Sequence, residues 1–136
     1  MVISKKVEFS ASHICRSAQL TDAENERVYG LAANPLGHGH NYVVEVAVEG
    51  EPDPVTGMIL DLKRLKEILD ERVLEVYDHR LLNREVSPFD RVVPTAENIA
   101  IDIWNRMVSC IGERARLYSV KVHESSDLSV EYRGES

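Results

Sequence analysis

The chain predicts an α+β domain in which a mostly antiparallel sheet carries two helices on one face. Three observations lead there. Four segments alternate apolar and polar residues with the period of a half-buried strand, two longer ones repeat apolar residues at helical spacing, and they run strand, strand, helix, helix, strand, strand. A sheet covered on one face keeps free edges and a second face, so association between subunits is expected.

Residues 2–13 place Val7, Phe9, Ala11 and His13 on one side and Lys6, Glu8, Ser10 and Ser12 on the other. The first histidine is therefore in phase with the core. Residues 14–37 break the alternation and read as a long functional loop, with room for one short helical turn in LTDAENERVYG before a Gly/Asn/Pro segment. Residues 38–49 alternate again, with His38, His40, Tyr42, Val44, Val46 and Val48 on one side and Asn41, Glu45 and Glu49 on the other.

EGEPDPVTGMILDL reads as a turn and a short second strand arm. From Asp61 the apolar residues Leu62, Leu65, Leu69, Val73 and Val76 recur as on a helix, with charged residues filling the outer face. After YDHRLLNREVSPFDRVVP a second helix opens, with Thr95 as N-cap and Ala96, Ile99, Ile103, Met107 and Cys110 on one side until Gly112. In the last two strands Tyr118, Val120 and Val122 lead in phase to Glu124, and Leu128, Val130 and Tyr132 follow. No repeat or low-complexity linker divides the chain, so residues 1–136 are expected to form one domain.

With 136 residues, 43% of them hydrophobic, the chain is large enough to bury its own core. It has no run of about 18 apolar residues, and MVISKKVEFS lacks the apolar stretch of a signal peptide, so a cytoplasmic protein with no membrane partner is expected. Cys15 and Cys110 form no CxxC pair and read as free thiols. The net charge of −7, with no stripe of lysines or arginines, argues against nucleic acid. An anionic small substrate would need a local gathering of Arg, Lys, His or metal against that overall field.

His38-Gly39-His40 is the strongest local signal. Side chains at i and i+2 of a strand project to one face, so two imidazoles can reach one metal ion while Gly39 leaves room on the other side. His13, ending another strand on its apolar face, can supply a third nitrogen and leave a fourth position open, as catalytic zinc sites do. An HxH pair is also the composition of a turn with solvated imidazoles; the in-phase third histidine favours the ligand set.

Asp78-His79 has the composition of an acid–base pair, the carboxylate orienting the ring and raising its proton affinity. An Asp capping a turn beside an exposed His has the same composition. Glu124, on a strand face otherwise apolar, suits a pocket for a planar donor fork such as a guanidinium or a pterin or guanine ring, although strand ends are often charged. Glu97, in a first helical turn, is favoured there by the helix dipole whatever else it does. Cys15 shares the face of His13 if the strand continues, and otherwise packs as a small hydrophobe, as Cys110 does.

Taken together, FSASH (9–13), NPLGHGHNY (34–42), DPVTGMILDL (53–62), YDHRLLN (77–83), PTAENIAIDIW (94–104) and VKVHES (120–125) resemble the 6-pyruvoyltetrahydropterin synthase family in order and spacing. The resemblance implies the tunnelling fold: a four-stranded antiparallel sheet with two helices on one face, assembling into a barrel. Trimers close the barrel, and two trimers stack as a homo-hexamer with active sites at subunit interfaces. It further implies that His13, His38 and His40 bind Zn2+, that Asp78 and His79 belong to a catalytic triad, that Glu124 anchors the pterin ring, and that Thr95 and Glu97 lie in the segment lining its pocket. The family's substrate is 7,8-dihydroneopterin triphosphate, which loses triphosphate while its side chain tautomerises to the diketone of 6-pyruvoyltetrahydropterin.

In that family the carbon proton is taken by a cysteine thiolate six residues before the first histidine of the HGH. Here that position is Ala32. Alanine neither gives nor takes a proton, and loss of a positioned base costs about 10²–10⁴ in rate. The chain therefore reads as an impaired zinc-dependent lyase. The alanine is compatible with an introduced Cys-to-Ala change, with a variant that uses another base such as Cys15, or with an inactive pterin-binding homologue. A related enzyme reading is a 6-carboxytetrahydropterin synthase of deazapurine biosynthesis. Branches making other products place a glutamate near this segment, whereas no acid stands between Tyr29 and His40.

Overall fold

In a computed structural model, which describes residues 1–135, the first predicted strand is β1 (Val2–His13). After α1 (Asp22–Tyr29) and a 3-10 turn, Gly30–Ala33, the chain enters β2 (His38–Gly50). β1 and β2 pair antiparallel from Val2 opposite Glu49 to His13 opposite His38. Directly opposed residues have their Cβ atoms about 4.5–5.5 Å apart. The register therefore sets two of the predicted ligands side by side.

α2 (Leu62–Leu69) opens on Asp61, whose carboxylate accepts from the Lys63 N–H at 3.0 Å. It runs through a π-helical turn, Asp70–Leu74, into α3 (Glu75–Tyr77). A π turn holds one residue more than an α turn, so the buried face passes through Leu65, Ile68, Leu69, Val73 and Tyr77. The predicted face shifts accordingly: Leu62 is 56% exposed and Val76 only half-buried. β3 (Arg80–Leu81) and a helical turn, α4 (Leu82–Glu85), lead to α5 (Ala96–Met107). Thr95 caps α5 as expected, accepting from the Asn98 N–H at 3.3 Å, but the helix stops at Met107 instead of reaching Gly112, leaving Cys110 half-buried beyond its end.

β4 (Ala115–Ser125) and β5 (Leu128–Tyr132) complete a sheet of order β3-β1-β2-β4-β5. The four predicted strands form its antiparallel body. The fifth, β3, is two residues long and parallel to β1, too short to carry any periodicity. Two further expectations are corrected. Residues 51–61 form turns and no strand, held by the Asp53 carboxylate, which accepts from the Val55 N–H at 2.7 Å. The loop after β1 carries two turns of helix in α1, secured by a reciprocal Thr21–Glu24 capping box, where one turn was expected.

A bulge between β2 and β4 at Ala47/Val48 changes the phase of β4. Ala115 and Leu117 are buried before it, Ser119, Val120 and Val122 after it, and Tyr118 at the bulge is only half-buried. Beyond the bulge the inward series proceeds to Glu124 as expected. Phe9, Tyr42, Val44, Val46, Val120 and Val122 of the sheet pack into one core with Leu65, Leu69, Val73, Ile99, Ile103 and Met107 of the helices. Burying each large apolar side chain contributes about 1.5–3 kcal/mol, which holds the strand carrying the histidines against the helices.

Candidate metal centre and active site

The inward row of β2 reads His38, His40, Tyr42, and that of β1 reads Phe9, Ala11, His13, so three imidazoles meet at one end of the sheet. One ring nitrogen from each of His13, His38 and His40 lies within 4.8 Å of the others. His13 is 1% exposed, and its Nε2 stands 2.9 Å from Nε2 of His38. The Nδ1 of His13 donates to the Pro94 carbonyl at 2.7 Å. A carbonyl can only accept, so Nδ1 carries the proton and Nε2 presents a lone pair to the cluster.

Among the described residues, Nδ1 of His38 and Nε2 of His40 find no hydrogen-bond partner although both are buried. Glu124 Oε1 stands 3.4 Å from Nε2 of His40, beside the cluster but not in hydrogen-bonding geometry. An orphaned buried nitrogen is costly, and an ion held by the three converging imidazoles would satisfy Nε2 of His40, while His38 turns its Nε2, not the orphaned Nδ1, toward His13. Burial holds the imidazoles of His13 and His40 below the ordinary value, which keeps them neutral as ligands must be. The residues present therefore fit a three-histidine metal centre.

Glu124 reaches this centre because Val122 and Glu124 share the inward face of β4. Thr95 and Pro94 bring the start of α5 beside His13. Cys15 is buried with Sγ 3.8 Å from Nδ1 of His13, so the face of β1 does continue past its end. Burial, then the charges of Glu124 and Glu97, push the Cys15 thiol up to about 11. Glu97 itself is exposed. Ala32 enters through its backbone: its carbonyl accepts from the Cys15 N–H at 2.9 Å.

Asp78 and His79 do form a pair, with His79 Nδ1 2.9 Å from Asp78 Oδ1. They lie on the outer edge of β1, where Asp78 Oδ1 accepts from the Ser10 N–H at 3.0 Å and the His79 N–H donates to the Ser10 carbonyl. His79 holds a left-handed φ of 62°, which turns the chain from α3 into β3. A cleft of about 620 Å³, lined in part by Ser12, Gly39, His40, Asn41 and His79, joins His79 to one histidine of the cluster. That volume suits a small organic molecule. Among the described residues, Ala32 is not part of that cleft's lining.

The family model for 6-pyruvoyl tetrahydropterin synthase matches residues 2–135. The chain belongs to the 6-pyruvoyl tetrahydropterin synthase family. It is 44% identical to the 6-pyruvoyl tetrahydrobiopterin synthase of Poecilia reticulata, over 98% of this chain and 90% of that protein. To the Homo sapiens protein of the same name it is 43% identical, over 98% and 91%. The solved structure of Caenorhabditis elegans 6-pyruvoyl tetrahydropterin synthase superposes with a TM-score of 0.94, at 38% identity, covering 99% of this chain and 96% of that one.

Within this family framework, three contributors escaped the sequence reading. The Pro94 carbonyl that fixes the His13 tautomer is a backbone group and leaves no signature. Tyr42, assigned only to the core alternation, has its hydroxyl 3.3 and 3.4 Å from the two ring nitrogens of His13. Its position two residues after the HGH on the same face was the available signal. Asn83 contacts the residue after His13 from 69 positions away, a separation no local pattern reveals.

Proposed function

We propose that this chain acts on 7,8-dihydroneopterin triphosphate as a zinc-dependent carbon–oxygen lyase, releasing triphosphate and forming 6-pyruvoyltetrahydropterin, and that Ala32 impairs the step. The observation that carries the reading is the cluster of His13, His38 and His40, with one tautomer set by Pro94 and Nε2 of His40 left without a hydrogen-bond partner among the described residues. The names of the relatives support the substrate. Three imidazole donors suit zinc, and when bound it supplies Lewis acidity toward the hydroxyl oxygens of the substrate side chain.

The chain's own groups supply the rest. Glu124, beside the cluster, accepts the paired N–H donors of the pterin ring, and Thr95 and Glu97 border the pocket at the start of α5. Asp78 orients the His79 ring across their 2.9 Å contact. The proton acceptor that this pair would activate is missing, because the side chain of Ala32 is a methyl group. His79 lines the cleft and Ala32 does not, which supports an active site completed by association, as in a homo-hexamer of two trimers. Cytoplasmic placement accords with free thiols at Cys15 and Cys110.

Triphosphate release and pterin product, followed in the steady state for this chain and for Ala32→Cys, test the reading. The expected outcome is near-zero turnover that rises by about 10²–10⁴ in the variant. Equal activity would overturn the impaired-base assignment and turn attention to Cys15. Pterin binding without turnover in both would overturn the lyase reading in favour of a binding protein.

A further inference from the structure

The outer edge of β1 is closed by a ladder of mixed chemistry. Alternate residues of a strand direct their backbone groups to the same edge, so Ser10, Ser12 and Ile14 turn theirs away from β2. At Ser10 the partners are the Asp78 carboxylate and the His79 N–H. At Ser12 the partner is Leu81 of β3. Beyond that point the chain has turned into α4, and among the described residues no strand continues the edge.

The side chain of Asn83 takes over. Its Oδ1 accepts from the Ile14 N–H at 2.8 Å, and its Nδ2 donates to the Ile14 carbonyl at 2.9 Å. A primary amide offering one acceptor and one donor to a single residue reproduces the edge of a neighbouring strand. Leu82, fully buried beside it, anchors the turn from which the amide reaches.

We infer that Asn83 is a positioning residue for the metal centre, an inference that rests on the metal reading above. Through the Ile14 backbone it holds His13 where β1 leaves the sheet. His13 sits at the last pair of the β1–β2 register, so without the amide its backbone is held from the β2 side alone. The same ladder ties His13 to Asp78 and His79, putting ligand and acid–base pair in one rigid frame.

The test is zinc affinity, read by competition with a chromophoric chelator, together with the visible spectrum of the cobalt(II)-loaded protein. Asn83→Ala and Asn83→Asp are compared with the unaltered chain and with Asn25→Ala. Asn25 is the control: its amide accepts from the Ser17 N–H at 2.8 Å and donates to the Ser17 carbonyl at 3.1 Å and the Leu20 carbonyl at 3.3 Å, clamping a loop without bonding to a residue adjacent in sequence to a ligand. Asn83→Ala is expected to weaken zinc binding about 10–100-fold and to alter the cobalt spectrum. Asn83→Asp, which loses the donor, weakens it as well, while Asn25→Ala lowers thermal stability and leaves zinc affinity unchanged.

Unchanged affinity in Asn83→Ala, or an equal loss in Asn25→Ala, would overturn the inference. Should Asn83→Ala fail to fold, unchanged affinity in Asn83→Asp would overturn it instead. An unaltered chain that binds no zinc would overturn the metal reading and this inference with it, whereas zinc binding that ignores Asn83 defeats the inference alone.

Discussion

At the scale of single residues, ligand and anchor roles separate by what each loss removes. His38→Ala deletes one of three converging nitrogens and is expected to abolish stoichiometric zinc binding, well beyond the 10–100-fold of an outer-shell change. Full occupancy by metal analysis would refute the ligand assignment. Glu124→Ala should keep zinc and weaken pterin affinity; an unchanged Kd for pterin would remove the anchor role. Asp78 supplies a pH signature. The N–H donated by Ser10 holds its carboxyl below the usual carboxylate range, with His79 adding to the effect. On acidification the unfolded chain therefore takes up this proton first. The stabilisation is complete above about pH 4 and is lost as pH falls through the lower folded value. Urea unfolding should show the stability gap between this chain and Asp78→Asn shrinking below about pH 4. A gap constant into strong acid would contradict the assignment.

At the scale of elements, the segment bearing Asp78 and His79 is fastened to α5 by a buried polar link. The Tyr77 hydroxyl donates to the Asp102 carboxylate, which also accepts from Arg106 Nε at 2.7 Å. Arg106 in turn donates to the Ser87 carbonyl at 2.8 Å, so the Asp102–Arg106 pair links three segments. Tyr77→Phe leaves the Asp102–Arg106 pair intact and should cost about 1 kcal/mol. Asp102→Ala strands a buried hydroxyl and should cost about 1–3 kcal/mol, a larger loss. Chemical denaturation of both variants checks the ranking, and the reverse order would show that Asp102 does not organise the link. The π turn between α2 and α3 has the same consequence for position, because the extra residue rotates Tyr77 into the core and leaves Asp78 at the edge of β1.

At the scale of the whole molecule, the segment around Ala32 has features of a contact surface. Leu31 and Leu36 flank it with 94% and 92% of their areas exposed, apolar area that association of subunits would bury. The proposed hexamer has a direct measurement. Sedimentation equilibrium should give six times the chain mass, and Leu31→Asp should lower it; a single-chain mass at micromolar concentration would refute the assembly. Among the described residues no helix is long and apolar enough to cross a membrane.

The strands of the sheet and the shared face of His13, His38 and His40 were legible in the sequence because side-chain alternation is a local property with a period of two. Thr95 was legible as a cap for the same reason, since capping acts within four residues. Tertiary structure alone decided the rest. The β2–β4 bulge, the π turn and β3 arise from which backbone groups find partners across the sheet, and none of these leaves a periodic trace. The register that sets His13 opposite His38, the Pro94 carbonyl that chooses a tautomer and the Asn83 amide that closes the edge of β1 join residues 25, 81 and 69 positions apart. Such contacts depend on how the whole chain packs, and their energies appear only once the core has brought the partners together.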